Sequence, residues 1–184
     1  MDLKLEEKQL SSQLIFDGKI VHLYEDTVEL PNGETATREL IKHMGAVAVL
    51  PLTDDGNVIF VKQYRYPFST VLTEIPAGKL DFSSEDHVKA ALRELREETG
   101  VTCEKLTYIG DIYPSVAILD EVIHMYCAQG LTYGESSPDD DEFLNVVKLP
   151  LDEAFDMVLS GEIRDSKTQV AILKTKILKE QGKL

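Results

Sequence analysis

Short apolar runs separated by turn-forming residues dominate the first third of the chain. Pro31-Asn32-Gly33-Glu34 contains an Asn-Gly pair, which is typical of a tight hairpin turn between antiparallel strands. Thr53-Asp54-Asp55-Gly56-Asn57 is interpreted as a second turn, because the ligand spacing and the closing Glu of a calcium loop are missing. The strands predicted around these turns cover residues 20–24, 27–30, 35–42, 46–50 and 58–61.

One strongly periodic segment, residues 83–99, is predicted to be a helix. Its apolar stripe consists of Val88, Ala91, Leu92 and Leu95. Ser83 and Asp86 resemble a capping box at its start, and Gly100 stands where a left-handed C-cap belongs. Further strands are predicted at 105–111, 122–128 and 143–148, and two helices at 151–159 and 167–179. This order of elements predicts an α+β domain or an α/β/α sandwich on a mixed β-sheet.

Composition narrows the class of protein. The chain has 184 residues and a formal charge of −14, which suits one domain and disfavours nucleic-acid or anionic-membrane partners. The longest nearly apolar stretch, 44–52, is far shorter than the ~20 residues of a membrane span. The first residues lack the basic start and apolar run of a secretory signal. Together with only two cysteines, Cys103 and Cys127, this predicts a reduced, cytoplasmic protein.

The end of the predicted helix concentrates negative charge. Glu94, Glu97 and Glu98 are helix neighbours, and like charges at such spacing cost roughly 0.2–0.5 kcal/mol per pair. The helix dipole disfavours each acid in the last turns by about 0.3–1 kcal/mol more. A solvated acidic face balanced by Arg93 and Arg96 is one interpretation. A site for a divalent cation is the other, because Mg²⁺ and Mn²⁺ prefer such oxygen ligands.

The residues around this helix resemble a known motif. Gly78, Glu85 and the segment 93–101, Arg-Glu-Leu-Arg-Glu-Glu-Thr-Gly-Val, resemble the Nudix box, Gly-x5-Glu-x7-Arg-Glu-U-x-Glu-Glu-x-Gly-U, where U is bulky and aliphatic. The part from Glu85 onward matches at every defined position, whereas six residues instead of five separate Gly78 from Glu85. One additional loop residue is expected to be tolerated.

The resemblance extends to one branch of that family. The segments 74–80, Glu-Ile-Pro-Ala-Gly-Lys-Leu, and 63–65, Gln-Tyr-Arg, look like those of ADP-ribose pyrophosphatases, as does the β-rich N-terminus. The branch implies an α/β/α sandwich that uses Mg²⁺ or Mn²⁺ to hydrolyse a nucleoside diphosphate sugar, here most closely ADP-ribose to AMP and ribose 5-phosphate. It also implies a homodimer, with residues 1–42 as the dimerisation segment and 43–184 as the Nudix domain.

The resemblance also implies roles for individual residues. Glu94, Glu97 and Glu98 would ligate metal together with the Ala77 carbonyl, and Arg93 would orient Glu97. Pyrophosphate hydrolysis further requires a base for the attacking water. The acidic stretch 137–143 resembles the loop that carries it in related enzymes, with Glu142 as the expected base and Asp140 as the alternative. A solvated acidic loop is the other interpretation.

Substrate contacts follow from the same resemblance. Arg65 is expected to clamp the diphosphate, since its planar fork suits phosphate oxygens, although an exposed strand-end arginine would look the same. Glu74, Arg38 and Glu121 are expected to contact metal, ribose or base. His87 is expected on the outer face of the helix.

One departure from the branch concerns the substrate. ADP-ribose pyrophosphatases tend to carry a proline at the position of Val116, so other nucleoside diphosphate derivatives stay open. A nucleotide-sensing Nudix module without catalysis and an unrelated domain with an acidic helix are the alternatives. The complete set of Glu94, Glu97 and Glu98 favours the enzyme over the sensor.

Overall fold

The computed structural model describes residues 4–138 and 142–184. The strands are β1 (Lys8–Asp17), β2 (His22–Glu29), β3 (Thr35–Lys42), β4 (Ala46–Pro51), β5 (Asn57–Arg65), β6 (Thr70–Glu74), β7 (Ala77–Lys79), β8 (Val101–Ile112), β9 (Ile123–Tyr133) and β10 (Asn145–Pro150). The helices are α1 (His87–Thr99), α2 (Leu151–Leu159) and α3 (Ser166–Glu180), with a short 3₁₀ turn at Tyr66–Phe68. No helix within the described residues is long and apolar enough to cross a membrane.

The chain divides into two compact units. The first comprises the residues up to Met44 together with Tyr113–Glu121. It contains an antiparallel three-stranded sheet in the order β1-β2-β3. The segment from 113 to 121 joins this unit through β3, because the Ile41 amide donates to the Ile118 carbonyl at 2.7 Å.

The second unit, Gly45–Ile112 with Val122–Leu184, contains two sheets. One has the order β7-β4-β9-β8 with β4 parallel to β9, and the other has the antiparallel order β10-β5-β6. Side chains alternate along β4, since successive strand residues point to opposite faces. Val47 and Val49 pack with Leu95 of α1, whereas the alternate residues pack with Ile172 of α3. The expected α/β/α layering is therefore confirmed.

The start of α1 differs from the prediction. The helix begins at His87, and its N-cap is Asp86, whose carboxylate accepts from the amides of Val88 at 2.9 Å and Lys89 at 3.0 Å. The capping box starting at Ser83 was wrong, because Asp86 caps the helix alone. The predicted C-cap is confirmed, since Gly100 has a φ of 71° and donates to the Arg96 carbonyl.

Several strands differ from the prediction as well. β1 was missed, because all ten of its residues are exposed and no alternation marks an inner face. The two strands predicted at 20–24 and 27–30 are replaced by the single strand β2, in which Asp26 is buried and accepts from Gln9 at 2.7 Å. The short strands β6 and β7 were also missed. They matter for function because they carry Glu74 and Ala77.

Candidate functional site

The second half of α1 brings the three glutamates to the edge of β7. Glu98 is almost fully buried, and its Oε2 accepts from the Ala77 amide at 3.2 Å. The Glu94 side chain is 12% exposed and that of Glu97 is 38% exposed. The cluster therefore grades from a buried to a solvent-facing carboxylate, and the Ala77 backbone lies against its buried end.

Gly78 makes this approach possible. A Cβ atom built on Gly78 would overlap the Glu94 carboxyl group, so only glycine leaves room for that side chain beside β7. The requirement is steric, because Gly78 does not have a positive φ. The additional residue between Gly78 and Glu85 thus leaves Gly78 against the glutamate cluster.

Arg93 is the cation at the centre of the cluster. Its Nη1 donates to Glu94 Oε1 at 2.7 Å and to Glu97 Oε2 at 3.2 Å, and its Nη2 donates to Glu85 at 3.4 Å. Burial alone would lower the pKa of Arg93, but the charge of Glu94 and its hydrogen bond raise it. Arg93 thus contacts Glu97 as expected and Glu94 as well.

Two of the glutamates, Glu94 and Glu98, have raised pKa values. Burial raises the pKa of Glu98 to about 8 and that of Glu94 to about 7. In Glu98 the hydrogen bond from Ala77 opposes this shift, and in Glu94 the charge of Arg93 opposes it. A cation among these oxygens would supply the missing positive charge, because nearby opposite charge favours the ionised form. The donor set suits Mg²⁺ or Mn²⁺.

The side chains are not arranged as a finished metal site. Across residues 4–138 and 142–184, no three His, Cys, Asp or Glu side chains converge on a common metal position. Glu94 and Glu97 are instead engaged by Arg93. A metal bound here therefore has to compete with Arg93 for Glu94 and Glu97.

The loop after β9 returns to the end of α1. Its Gly134 amide donates to the Gly100 carbonyl at 2.8 Å, and its Ser137 amide donates to the Glu97 carbonyl at 2.9 Å. Glu142 lies farther along this loop and is exposed, and its charge contributes to raising the pKa of both Glu94 and Glu98. Glu142 is therefore near the cluster. Asp140 lies outside the described residues.

Arg93 and Glu97 also border open space. Together with Arg96, Cys103 and Ser137 they line a groove of about 600 Å³. Arg96 makes no ion pair with the described residues, so the predicted balancing of the acidic face falls to Arg93. The groove offers a solvent route to the exposed end of the cluster.

Arg65 is held by Glu74 in a bidentate pair. Arg65 Nε donates to Glu74 Oε1 at 2.6 Å, and its Nη2 donates to Oε2 at 2.7 Å. Glu74 is 1% exposed, whereas the Arg65 side chain is 39% exposed, so the pair joins a buried carboxylate to an accessible cation. The Glu74 carboxylate is thus bound by Arg65 and also by Lys167.

A third member of this group was missed by sequence reasoning. Lys167, in the first turn of α3, donates to Glu74 Oε2 and lies 3.1 Å from Asp165 Oδ1. The Thr168 hydroxyl accepts from the Ile75 amide at 2.9 Å. No local signal pointed to these contacts, because Lys167 and Glu74 are 93 positions apart.

The remaining expected contact residues lie in the first unit. Arg38 donates to Glu7 at 2.9 Å, and Glu121 Oε1 is 3.6 Å from His43 Nδ1. Neither belongs to the unit that contains the glutamate cluster. Their roles in binding substrate stay predictions.

The expectation for His87 was wrong. Its ring stacks on His124 with centroids 3.7 Å apart and an angle of 17° between the planes. His124 Nδ1 in turn lies 2.7 Å from Asp111 Oδ1. The start of α1 therefore packs against the edge of β8 and β9, which helical periodicity could not reveal.

Comparison with known families decides the classification. The NUDIX domain model matches residues 42–169, and the model of the nucleoside diphosphate sugar hydrolase N-terminal domain matches residues 7–41. This chain belongs to the Nudix family. The alternative of an unrelated domain with an acidic helix is wrong.

Two ADP-ribose pyrophosphatases and a methanol dehydrogenase activator are among the similar proteins. The ADP-ribose pyrophosphatase of Bacillus subtilis (strain 168) is 47% identical over 170 residues, which cover 91% of each chain. A methanol dehydrogenase activator of Bacillus methanolicus is 44% identical over 169 residues, also 91% of each. The ADP-ribose pyrophosphatase of Mycobacterium tuberculosis (strain ATCC 25618 / H37Rv) is 36% identical over 85% of this chain and 77% of the relative.

A solved structure supports the fold. The crystal structure of an ADP compounds hydrolase covers 100% of both chains with a TM-score of 0.84 and 22% sequence identity. The Nudix fold expected from the motif is thereby confirmed. In this Nudix hydrolase α1 is the helix of the box, and the family generally works with a divalent cation.

Gly78→Ala should weaken the apparent Mg²⁺ affinity by about 10–100-fold, because the new methyl group must push the Glu94 carboxylate aside. The fold should survive, since the overlapped atoms belong to a side chain. Turnover measured over a range of Mg²⁺ concentrations should show activity recovering at high Mg²⁺. An unchanged Mg²⁺ dependence would contradict the role assigned to Gly78.

Proposed function

We propose that this chain is a divalent-metal-dependent pyrophosphatase that hydrolyses ADP-ribose to AMP and ribose 5-phosphate. The observation that carries the proposal is the intact glutamate cluster on α1, packed against Gly78 and Ala77. The ADP-ribose pyrophosphatases that are 47% and 36% identical support the choice of substrate. These two relatives outweigh the departure at Val116, because the proline expected at that position is only a general tendency of the branch.

Each part of the site has a chemical task in this reaction. Glu94, Glu97, Glu98 and the Ala77 carbonyl would hold Mg²⁺ or Mn²⁺, and the metal would neutralise charge on the diphosphate when bound. Arg65 donates to diphosphate oxygens from its accessible side. Arg93 holds Glu97 and Glu94 in place. Glu142 accepts a proton from the attacking water as the P–O bond to the leaving group breaks.

A coupled assay tests this function. The purified protein is incubated with ADP-ribose, GDP-mannose or UDP-glucose, with Mg²⁺ or with chelator, and a phosphatase releases phosphate from the products. Mg²⁺-dependent turnover, fastest for ADP-ribose, is expected. Preference for another sugar nucleotide would assign a different nucleoside diphosphate derivative. Tight binding without turnover would make the protein a nucleotide sensor.

We also propose a cytoplasmic location. Both Cys103 and Cys127 are free thiols, and burial raises the pKa of Cys127 to about 12. Burial also raises the pKa of the partly buried Cys103, and protonated thiols react slowly, so neither cysteine suggests a disulfide-forming compartment. Recovery of the protein in the cytoplasmic fraction of its source cells would test this location.

We further propose that residues 1–42 mediate homodimer formation. β1 lies at the edge of its sheet, and all ten of its residues are exposed. Leu10, Leu14, Ile15 and Phe16 each have close to half of their surface exposed. A long edge strand that exposes apolar side chains is prone to pair with another chain, and a second copy would bury these side chains.

The dimer can be tested with one charged substitution. Leu14→Glu should raise the dimer dissociation constant at least ~30-fold, because the apolar burial lost in one copy alone is about 2 kcal/mol. Ile177→Glu on α3 is the control, since its side chain is 51% exposed and lies outside β1. Analytical ultracentrifugation measures both variants. Equal effects of the two substitutions, or a monomeric wild type, would reject the assignment of β1.

A further inference from the structure

Lys167 occupies an unusual position for a lysine. It is 8% exposed, although lysines are rarely buried unless they are paired. Its ammonium group contacts two carboxylates, Glu74 and Asp165. Desolvating this cation is unfavourable, so its placement is stabilised by the charges around it.

The four charged groups form one connected network. The Glu74 carboxylate accepts from Arg65 on one side and from Lys167 on the other, and Asp165 balances Lys167. Burial would raise the pKa of Glu74, but the hydrogen bonds from Arg65 and the charge of Lys167 hold it below its ordinary value. Glu74 is therefore an ionised anchor for the Arg65 guanidinium.

The orientation of Arg65 follows from this anchor. Nε and Nη2 are the atoms that contact Glu74, and Nη1 has no hydrogen-bond partner among residues 4–138 and 142–184. A guanidinium is planar, so fixing one edge also fixes the direction of the other. Nη1 is not among the buried unpaired polar atoms of the described residues, so this free edge is accessible to a diphosphate oxygen.

We propose that Lys167 is a positioning residue for substrate binding, which fixes the Glu74 carboxylate so that Arg65 presents its free edge to the diphosphate. The inference rests on the proposed function, since it concerns the same diphosphate. Lys167 does not touch the substrate in this arrangement. It acts through Glu74 and Arg65.

If Lys167 had a purely structural role, it would be needed to hold α3 in place. The N-terminus of α3 is already attached to the segment after β6 by the hydrogen bond from the Ile75 amide to the Thr168 hydroxyl. Asp165 caps α3 by accepting from the Thr168 amide at 2.9 Å. Docking of α3 therefore has anchors of its own, and removing the Lys167 charge should alter Arg65 more than the fold.

Steady-state kinetics on ADP-ribose with saturating Mg²⁺ test the proposal. Lys167→Met should raise KM about tenfold and change kcat less than threefold, because the lost contact contributes to substrate binding. Lys176→Met is the matched control, since Lys176 lies on the same helix and pairs with the exposed Asp152. The control should keep the wild-type KM, and Lys167→Arg should restore most of the affinity.

A double-mutant cycle separates positioning from a general structural defect. Once Arg65→Ala has removed the guanidinium, Lys167→Met should cause less than a twofold further rise in KM. A further tenfold rise in KM when Lys167→Met is added to Arg65→Ala would overturn the proposal. So would a fall in kcat alone, or an unchanged KM, in the single variant Lys167→Met. If Lys167→Met does not fold, Glu74→Gln/Lys167→Met removes both charges, and it should show the same rise in KM.

Binding in the absence of metal separates this inference from the proposed function. Calorimetric titration of ADP-ribose in chelator should give about tenfold weaker binding to Lys167→Met than to wild type and Lys176→Met. If the wild type binds ADP-ribose but cleaves no sugar nucleotide, the proposed function fails while this comparison still decides the role of Lys167. If the wild type cleaves ADP-ribose and the two variants bind equally, the role of Lys167 fails alone.

Discussion

Glu98→Gln should lower kcat by about 10³-fold, equivalent to about 4 kcal/mol of transition-state stabilisation, without destabilising the metal-free protein. The amide oxygen can still accept from the Ala77 amide, so the local contact survives. The negative charge that attracts the cation is lost. Turnover of ADP-ribose at saturating Mg²⁺ measures the effect on kcat, and Glu153→Gln, an exposed substitution on α2, is the control.

At alkaline pH the metal-free Glu98→Gln variant should be more stable than the metal-free wild type. Glu98 has an ordinary pKa of 4.5 and a folded-state pKa of about 8, so the folded chain binds more protons between these values. The free energy of unfolding contributed by Glu98 therefore falls as the pH rises from 4.5 to about 8. Glutamine carries no such penalty.

Thermal melting in chelator checks this pH dependence. At pH 5 the two proteins should melt close together, and at pH 8.5 Glu98→Gln should melt several degrees higher than the wild type. Added Mg²⁺ should raise the melting temperature of the wild type more than that of the variant, since ligand binding stabilises the folded state. A variant that melts clearly lower in chelator at pH 8.5 would show that the ionised carboxylate serves the fold.

Glu142→Gln should lower kcat by about 10²–10⁴-fold while leaving KM and Mg²⁺ affinity close to wild type. The exposed Glu142 side chain lies near enough to Glu94 and Glu98 to raise the pKa of both, which places a carboxylate beside the metal cluster. Its replacement removes a proton acceptor and leaves the three glutamates on α1 in place.

Two controls accompany Glu142→Gln. Glu135→Gln is an exposed, isosteric change on the same loop and should leave kcat near wild type. Asp140→Asn tests the alternative base. A loss of less than about tenfold in Glu142→Gln, combined with a large loss in Asp140→Asn, would move the catalytic base to Asp140.

These two variants report on different parts of the same site. Loss of Glu98 should impair metal binding and turnover together, whereas loss of Glu142 should impair turnover alone. Calorimetric titration with Mg²⁺ distinguishes them directly. Comparable Mg²⁺ affinity in Glu98→Gln and in wild type would remove Glu98 from the metal site.

Local sequence determined the elements that carry the box. Helical spacing put Glu94, Glu97 and Glu98 on neighbouring positions, and Gly100 ended the helix in the left-handed conformation that glycine adopts readily. The Asn32-Gly33 turn between β2 and β3 was equally local. Such features are readable because each depends on residues only a few positions apart.

Tertiary structure alone decided how strongly the site is charged and what surrounds it. The raised pKa values of Glu94 and Glu98 depend on burial, which no spacing along the chain reports. The contact between Lys167 and Glu74 joins residues 93 positions apart. β1 was not predicted for a related reason. All of its residues are exposed, so no buried face requires apolar residues to alternate with polar ones along its sequence. Long-range packing creates these properties, so patterns of neighbouring residues in the sequence do not predict them.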